Sequence, residues 1–235
     1  MAFLDRYNQG IRTVQQRLAS LTDAVIHMLE KSLNALSAQD EAAAQDVLDY
    51  DDVIDDETAD IEEASVELIS LQQPRQEDLR VLTASLRIVR DLERIADYAC
   101  DLAEITQELA SQPYFKELID LPKMGQLALS MLERAHEAVM TTNSDIAYEV
   151  MKRDDAVDRL YLELHHELMV VMRSQPAFVE QASNLLLAAR YLERIADHAV
   201  NIAEMTVYMS DGVRQPFRRS PRPTPAGKRT LPRLK

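Results

Sequence analysis

The sequence predicts an all-α protein: two tandem three-helix bundles from an internal duplication, six long antiparallel helices, then a disordered basic proline-rich tail. Three observations carry that reading. First, glycine is scarce, four in 235 residues, and tryptophan is absent. Ala, Leu, Glu, Asp and Arg dominate instead, the vocabulary of long helices. Second, apolar residues recur at helical spacing, and no stretch alternates strictly enough to read as a strand. Third, the chain repeats itself. "LERIAD" stands at Leu92–Asp97 and again at Leu192–Asp197, an offset of 100. "DVLDYDDVIDD" at Asp46–Asp56 answers "EVMKRDDAVDR" at Glu149–Arg159, an offset of 103. Such periodicity marks duplicated three-helix units, and the drift places short length differences between helices.

Each element follows in order. Val14, Leu18, Leu21, Val25 and Met28 set the apolar rhythm of a first helix over about residues 3–37. Polar "SAQD" (Ser37–Asp40) ends it and offers N-cap residues for a second helix over 40–72. Pro74 breaks that helix, and a third runs over 76–110. Pro113 and Pro122 bracket the passage to a fourth helix at 118–141. "TTNSD" (Thr141–Asp145) opens a fifth at 144–173, and Pro176 precedes a sixth at 177–211. The expected units are residues 1–112 and 113–212, with the tail at 213–235.

Eight basic residues and no acid lie in that tail, so the net charge of −14 becomes −22 over residues 1–212. So acidic a body repels a phosphate backbone, which argues against nucleic-acid binding and in favour of cations or basic partner proteins. The tail's bland reading is a solvated extension; its sharper one is a tether to an acidic partner, to anionic lipid or to the acidic body. A single cysteine, Cys100, excludes an internal disulfide and reads as a small core residue. No export signal and no run of about 18 apolar residues is apparent, so a soluble, cytoplasmic protein is expected.

The third helix carries Glu93, Asp97, Asp101 and Glu104 on one edge, opposite its apolar residues; the sixth repeats this with Glu193, Asp197, Asn201 and Glu204. The wheel makes this an outward stripe, and the bland account is a solvated helix face tempered by Arg90, Arg94, Arg190 and Arg194. Two features weigh against it. Like charges at i,i+4 destabilise a helix, and duplication alone does not explain why the acids match between halves. The second helix adds Asp51 and Asp55, the fifth Asp154 and Asp158. Hard oxygen ligands one turn apart on neighbouring helices hold multivalent metal ions in bundles. Few histidines and no cysteine pair favour Mg, Mn or Fe, with Zn possible. His198 is matched by Tyr98 in the first half, and His165 and His166 read as ordinary surface residues.

At these residues the sequence resembles the PhoU family, bacterial regulators of phosphate uptake, from residue 1 to about 211. The likeness rests on the doubled "LERIAD" with "YACDLAE" and "HAVNIAE" after it, and on the "DYDDVIDD"/"KRDDAVDR" pair. Ala96 and Ala196 replace the family's usual glycine, which stiffens these helices, and Asn201 removes one charge from the second constellation. The resemblance implies two three-helix bundles, multinuclear divalent or trivalent metal clusters and frequent oligomerisation, here a homodimer. By analogy Glu93, Asp97, Asp101, Glu193, Asp197 and Asn201 contact metal, followed by Asp51, Asp55, Asp154 and Asp158. It further implies a negative regulator that couples the cytosolic subunit of the phosphate ABC transporter to a sensor histidine kinase, peripheral to the membrane through those partners.

A non-enzymatic adaptor is the expectation, since no Gly-rich phosphate loop, no G-x-S-x-G and no nucleophile with an evident base is found. Two alternatives stand beside it. One is a metal-dependent hydrolase or oxidase; for a di-iron site only Glu163–His166 offers the Glu-x-x-His spacing. The other is a metal-binding or metal-free helical scaffold.

Overall fold

The described residues, 2–71 and 74–212 of a computed structural model, form seven α-helices and no strand. The disorder expected of the tail lies outside them. Helix α1 spans Ala2–Ala38, α2 Glu41–Leu48, α3 Asp51–Leu71 and α4 Gln76–Leu109. The second half comprises α5 (Asp120–Thr141), α6 (Ser144–Ser174) and, after a 3-10 turn at Pro176–Phe178, α7 (Val179–Asp211).

Capping explains where these helices stop. The Asp40 carboxylate accepts from the backbone N–H groups of Ala42 and Ala43, both at 3.0 Å, and starts α2. Asn143 does the same for α6, accepting from Asp145 N at 2.9 Å. One expectation needs correction: the single second helix is interrupted at Asp49 and Tyr50, giving α2 and α3. Tyr50 N donates to Val47 O and Val53 N to Tyr50 O, both at 3.2 Å, tightening the chain where the helix would have continued. The break turns Asp51 and Asp52 into first-turn residues of α3, where the N-terminal end of the helix dipole favours carboxylates.

The first bundle is α1, the α2–α3 pair and α4; the second is α5, α6 and α7. They meet chiefly along α4 and α7, with α1 also packing on α5, around one continuous core. Residues 110–119 connect the halves and are pinned to both: the Tyr114 hydroxyl donates to Leu36 O, and Phe115 N donates to Gln181 Oε1 at 2.7 Å.

Contacts along α4 and α7 reveal a symmetry. Tyr98 stacks on Tyr191 with ring centroids 5.6 Å apart, and Asp91 meets His198. Adding the repeat offset of 100 to the first-half member of one pair and subtracting it from the second-half member yields the other pair. The helices therefore cross antiparallel about an approximate two-fold axis, and the two "LERIAD" blocks lie beside it. Leu92, Ile95, Ala96, Leu192, Ile195 and Ala196 are all buried there. Part of the answer to why this block is written twice is thus packing: each copy meets the other.

Gly125 marks the second contact between bundles. A Cβ added there would stand 2.5 Å from Leu33 Cδ2, across the α1–α5 crossing. Gly125→Ala is expected to force Leu33 aside and to cost about 1 to 2 kcal/mol, read as a lower urea midpoint at unchanged slope.

Candidate metal centre and the seam between the halves

In the first half the acids gather where α3 lies against α4. Burial is the main force raising the Asp51 pKa; a hydrogen bond from the Cys100 thiol opposes it, and the charges of Asp55, Asp97 and Asp52 add to the rise. Burial likewise raises Asp101, reinforced by Glu104 and Asp97. The structure thus brings Asp51, Asp97 and Asp101 into electrostatic reach, with Asp55, exposed, at the margin. Cys100 sits among them, its thiol pKa driven up by burial and by Asp51, Asp97 and Asp101, which favours the neutral thiol over the thiolate.

Arginines three residues upstream hold the motif carboxylates in both halves. Arg90 Nη1 lies 3.1 Å from Glu93 Oε2 and Arg94 Nη1 2.9 Å from Asp97 Oδ2. Arg190 pairs with Glu193, and Arg194 Nη1 lies 3.3 Å from Asp197 Oδ2. The second half then departs from the expected outward stripe. The Glu193 and Asp197 residues are only 3% and 7% exposed, and Asp154 on α6 is 3% exposed. In the first half the Glu93 and Asp97 side chains keep 23% and 39% of their surface. The reason is cover: α6 runs unbroken for 31 residues and packs on α7, whereas its counterpart is interrupted just before Asp51. A wheel drawn for one isolated helix does not register the neighbour on its other side.

Asn201 lies on the seam instead, its Nδ2 donating to Asp91 Oδ1 at 3.0 Å. His198 Nδ1 stands 2.7 Å from the same oxygen. A carboxylate only accepts, so Nδ1 carries the hydrogen here. Neither Asp91 nor the partnership of His198 was visible in the sequence, because the repeat pairs Asp91 with Tyr191 and His198 with Tyr98. The same symmetric position is a hydrogen-bonded cluster on one side of the axis and an aromatic stack on the other.

The donors of the first half suit a hard cation: they are carboxylate oxygens, and the negative neighbours that raise Asp51 and Asp101 are what a multivalent ion would relieve. Among the described residues, no three His, Cys, Asp or Glu side chains already stand in a metal-holding arrangement.

The raised carboxyls make a pH prediction. A folded-state pKa above the unfolded one favours the protonated form, so this stabilising contribution is full below about pH 4 and is lost as pH rises through the raised values. In chelator-treated protein Asp101→Asn should raise the melting temperature at pH 7, and the gain should disappear at about pH 4.

Comparison with known proteins agrees with this architecture. The sequence profile of the PhoU domain matches residues 18–106 and 121–206, one copy in each bundle. The chain belongs to the PhoU family. A PhoU homologue from Clostridium acetobutylicum, named a phosphate-specific transport system accessory protein, is 36% identical over 197 residues, 83% of this chain and 89% of that protein. A homologue of the same name from Rhizobium meliloti is 30% identical over 89% of each chain. The crystal structure of PhoU from Pseudomonas aeruginosa superposes with a TM-score of 0.86 at 31% identity, covering 88% of this chain and all of that one. No helix among the described residues is long and apolar enough to cross a membrane.

Proposed function

We propose that this protein is a non-enzymatic accessory regulator of phosphate uptake. The observation that carries the reading is likeness over nearly the whole folded body to proteins named phosphate-specific transport system accessory proteins. It restrains uptake and the phosphate-starvation response when phosphate is plentiful, in the cytoplasm, by linking the cytosolic subunit of a phosphate ABC transporter to a sensor histidine kinase. Multivalent cations would be held by Asp51, Asp97 and Asp101 in the first half and by Asp154, Glu193 and Asp197 in the second. Such an ion supplies positive charge on an otherwise negative face. The chain's own part is to gather the carboxylates on either side of one seam, with Asp97, Glu193 and Asp197 held by arginines.

The test is affinity capture from cells grown with ample phosphate. Tagged protein is expected to retain the transporter's nucleotide-binding subunit and the kinase, and deletion of the gene to raise phosphate uptake and starvation-gene expression. No capture of either partner, with uptake unchanged by deletion, would sink the proposal.

A further inference from the structure

We propose that the groove where α1, α4, α5 and α7 meet binds a small aromatic carboxylate, with the ring on its apolar wall and the carboxylate on Arg12. The groove encloses about 280 Å³, at the small end of ligand cavities, which suits a single-ring molecule. Leu18, Val81, Val139, Met140 and Met209 supply the apolar wall. Arg12 is the one charged side chain among the described residues that line it, on a body whose net charge over residues 1–212 is −22. An anion repelled by most of the surface thus meets a local cation here. Arg12 Nη2 donates to Gln9 Oε1 at 3.2 Å, a neutral partner on its own helix, and a carboxylate is the stronger acceptor.

The approximate two-fold axis points to a ring. With the repeat offset of 103, Leu18, Val139 and Thr142 correspond to Leu121, Leu36 and Gln39; with 100, Val81 and Met209 correspond to Gln181 and Leu109. Backbone conformation agrees: Gln39 and Thr142, each just past the end of its helix, hold φ at 54° and 48° in the left-handed region. At this second place the chain fills the groove itself, with the connector between the halves. The Tyr114 hydroxyl donates to Leu36 O, and Gln39 Nε2 donates to Gln112 O at 2.9 Å. Gln181 grips the connector backbone twice: its Nε2 donates to Pro113 O at 3.3 Å, and its Oε1 accepts from Phe115 N. Burial pushes the Tyr114 phenol up to about 12. The same junction therefore accommodates an aromatic ring once already.

Differences between the two places select a small anion over a peptide. Val81 and Thr142 stand where Gln181 and Gln39 hold the connector, so the amides that grip a backbone are missing. In exchange, α1 gives the groove Arg12, Gln15 and Gln16 where the second half has Phe115, Leu118 and Ile119. The place of the ring is kept, the holds on a main chain are lost, and a cation is gained. A guanidinium fork matches the two oxygens of a carboxylate, and the glutamine amides add neutral donors beside it. Met140, 50% exposed, offers a polarizable thioether to a ring edge. Because the walls come from both halves, an occupant would tie the two bundles together. None of these residues belongs to the candidate cation set, so binding here does not depend on metal.

The probe is para-hydroxyphenylacetate, the Tyr114 ring on a carboxylate; tyramine, the same ring on an ammonium, is the control. Equilibrium dialysis of the full-length, chelator-treated protein should show one molecule of the carboxylate bound per chain, with tyramine about ten-fold weaker or more. Arg12→Gln should weaken the carboxylate about ten-fold or more, and Met140→Glu should abolish its binding. Both side chains are exposed, so helical circular dichroism and the urea midpoint should not change. Arg12→Gln decides the matter alone if the new charge at 140 unsettles α5. No saturable binding, tyramine bound as well as the carboxylate, or an affinity that either substitution leaves unchanged would each overturn the proposal.

Discussion

Arg190→Met is expected to destabilise the fold by about 3 kcal/mol, while Arg90→Met, at the equivalent position of the first half, costs less than about 1 kcal/mol. The two arginines read identically in the sequence, each three residues before the glutamate of a "LERIAD" block. Their surroundings differ. The Glu193 side chain keeps 3% of its surface, so removing the Arg190 guanidinium takes away a charge-assisted contact where water has little access to replace it. Water reaches Glu93, and Arg90 is mostly exposed and divides itself between Glu93 and Glu62. Methionine keeps most of the aliphatic stem of arginine, so the difference lies in the guanidinium contacts, which for Arg190 include the face of the Tyr161 ring 5.7 Å away. Urea unfolding of the two variants checks this. Equal losses would mean that the burial of the second constellation has no energetic weight.

Asp91→Ala is the second change with a large expected effect, about 2 kcal/mol, because one carboxylate oxygen accepts from Asn201 and His198 together across the seam. Asn201→Ala should cost about 1 kcal/mol, and the double variant should lose less than the sum, since both remove one network. Additive losses would show that the two side chains are neighbours without coupling. Because the cluster joins α4 to α7, its loss should also raise amide exchange along that crossing before the outer helices are affected.

Much of the fold was legible because it follows from periodicity and punctuation. Val14 to Met28 announced a helix, Asp40 and Asn143 announced caps, and the offset of about 100 residues announced two bundles. The interruption at Asp49–Tyr50 was hidden because apolar spacing continues across it, and the gain from placing Asp51 and Asp52 at a helix start is electrostatic. The acidic constellations were found from the matching of acids between copies, including Asp51 and Asp97, which the structure brings into reach of one another. Their unequal exposure was not, since it depends on α6 covering α7, a relation between helices far apart in sequence. Asp91 escaped for a related reason: it breaks the symmetry that made the matching acids conspicuous.

The first half of this molecule brings carboxylates together at some electrostatic cost, which bound multivalent cations would offset. Elemental analysis of protein purified without chelator from manganese- and iron-replete cells tests that most directly. Bound metal near a whole number per chain, lost in Asp97→Asn/Asp197→Asn protein that still folds, is the predicted result. Wild-type protein that is metal-free from such cells, and stays so after dialysis against either ion, would contradict it.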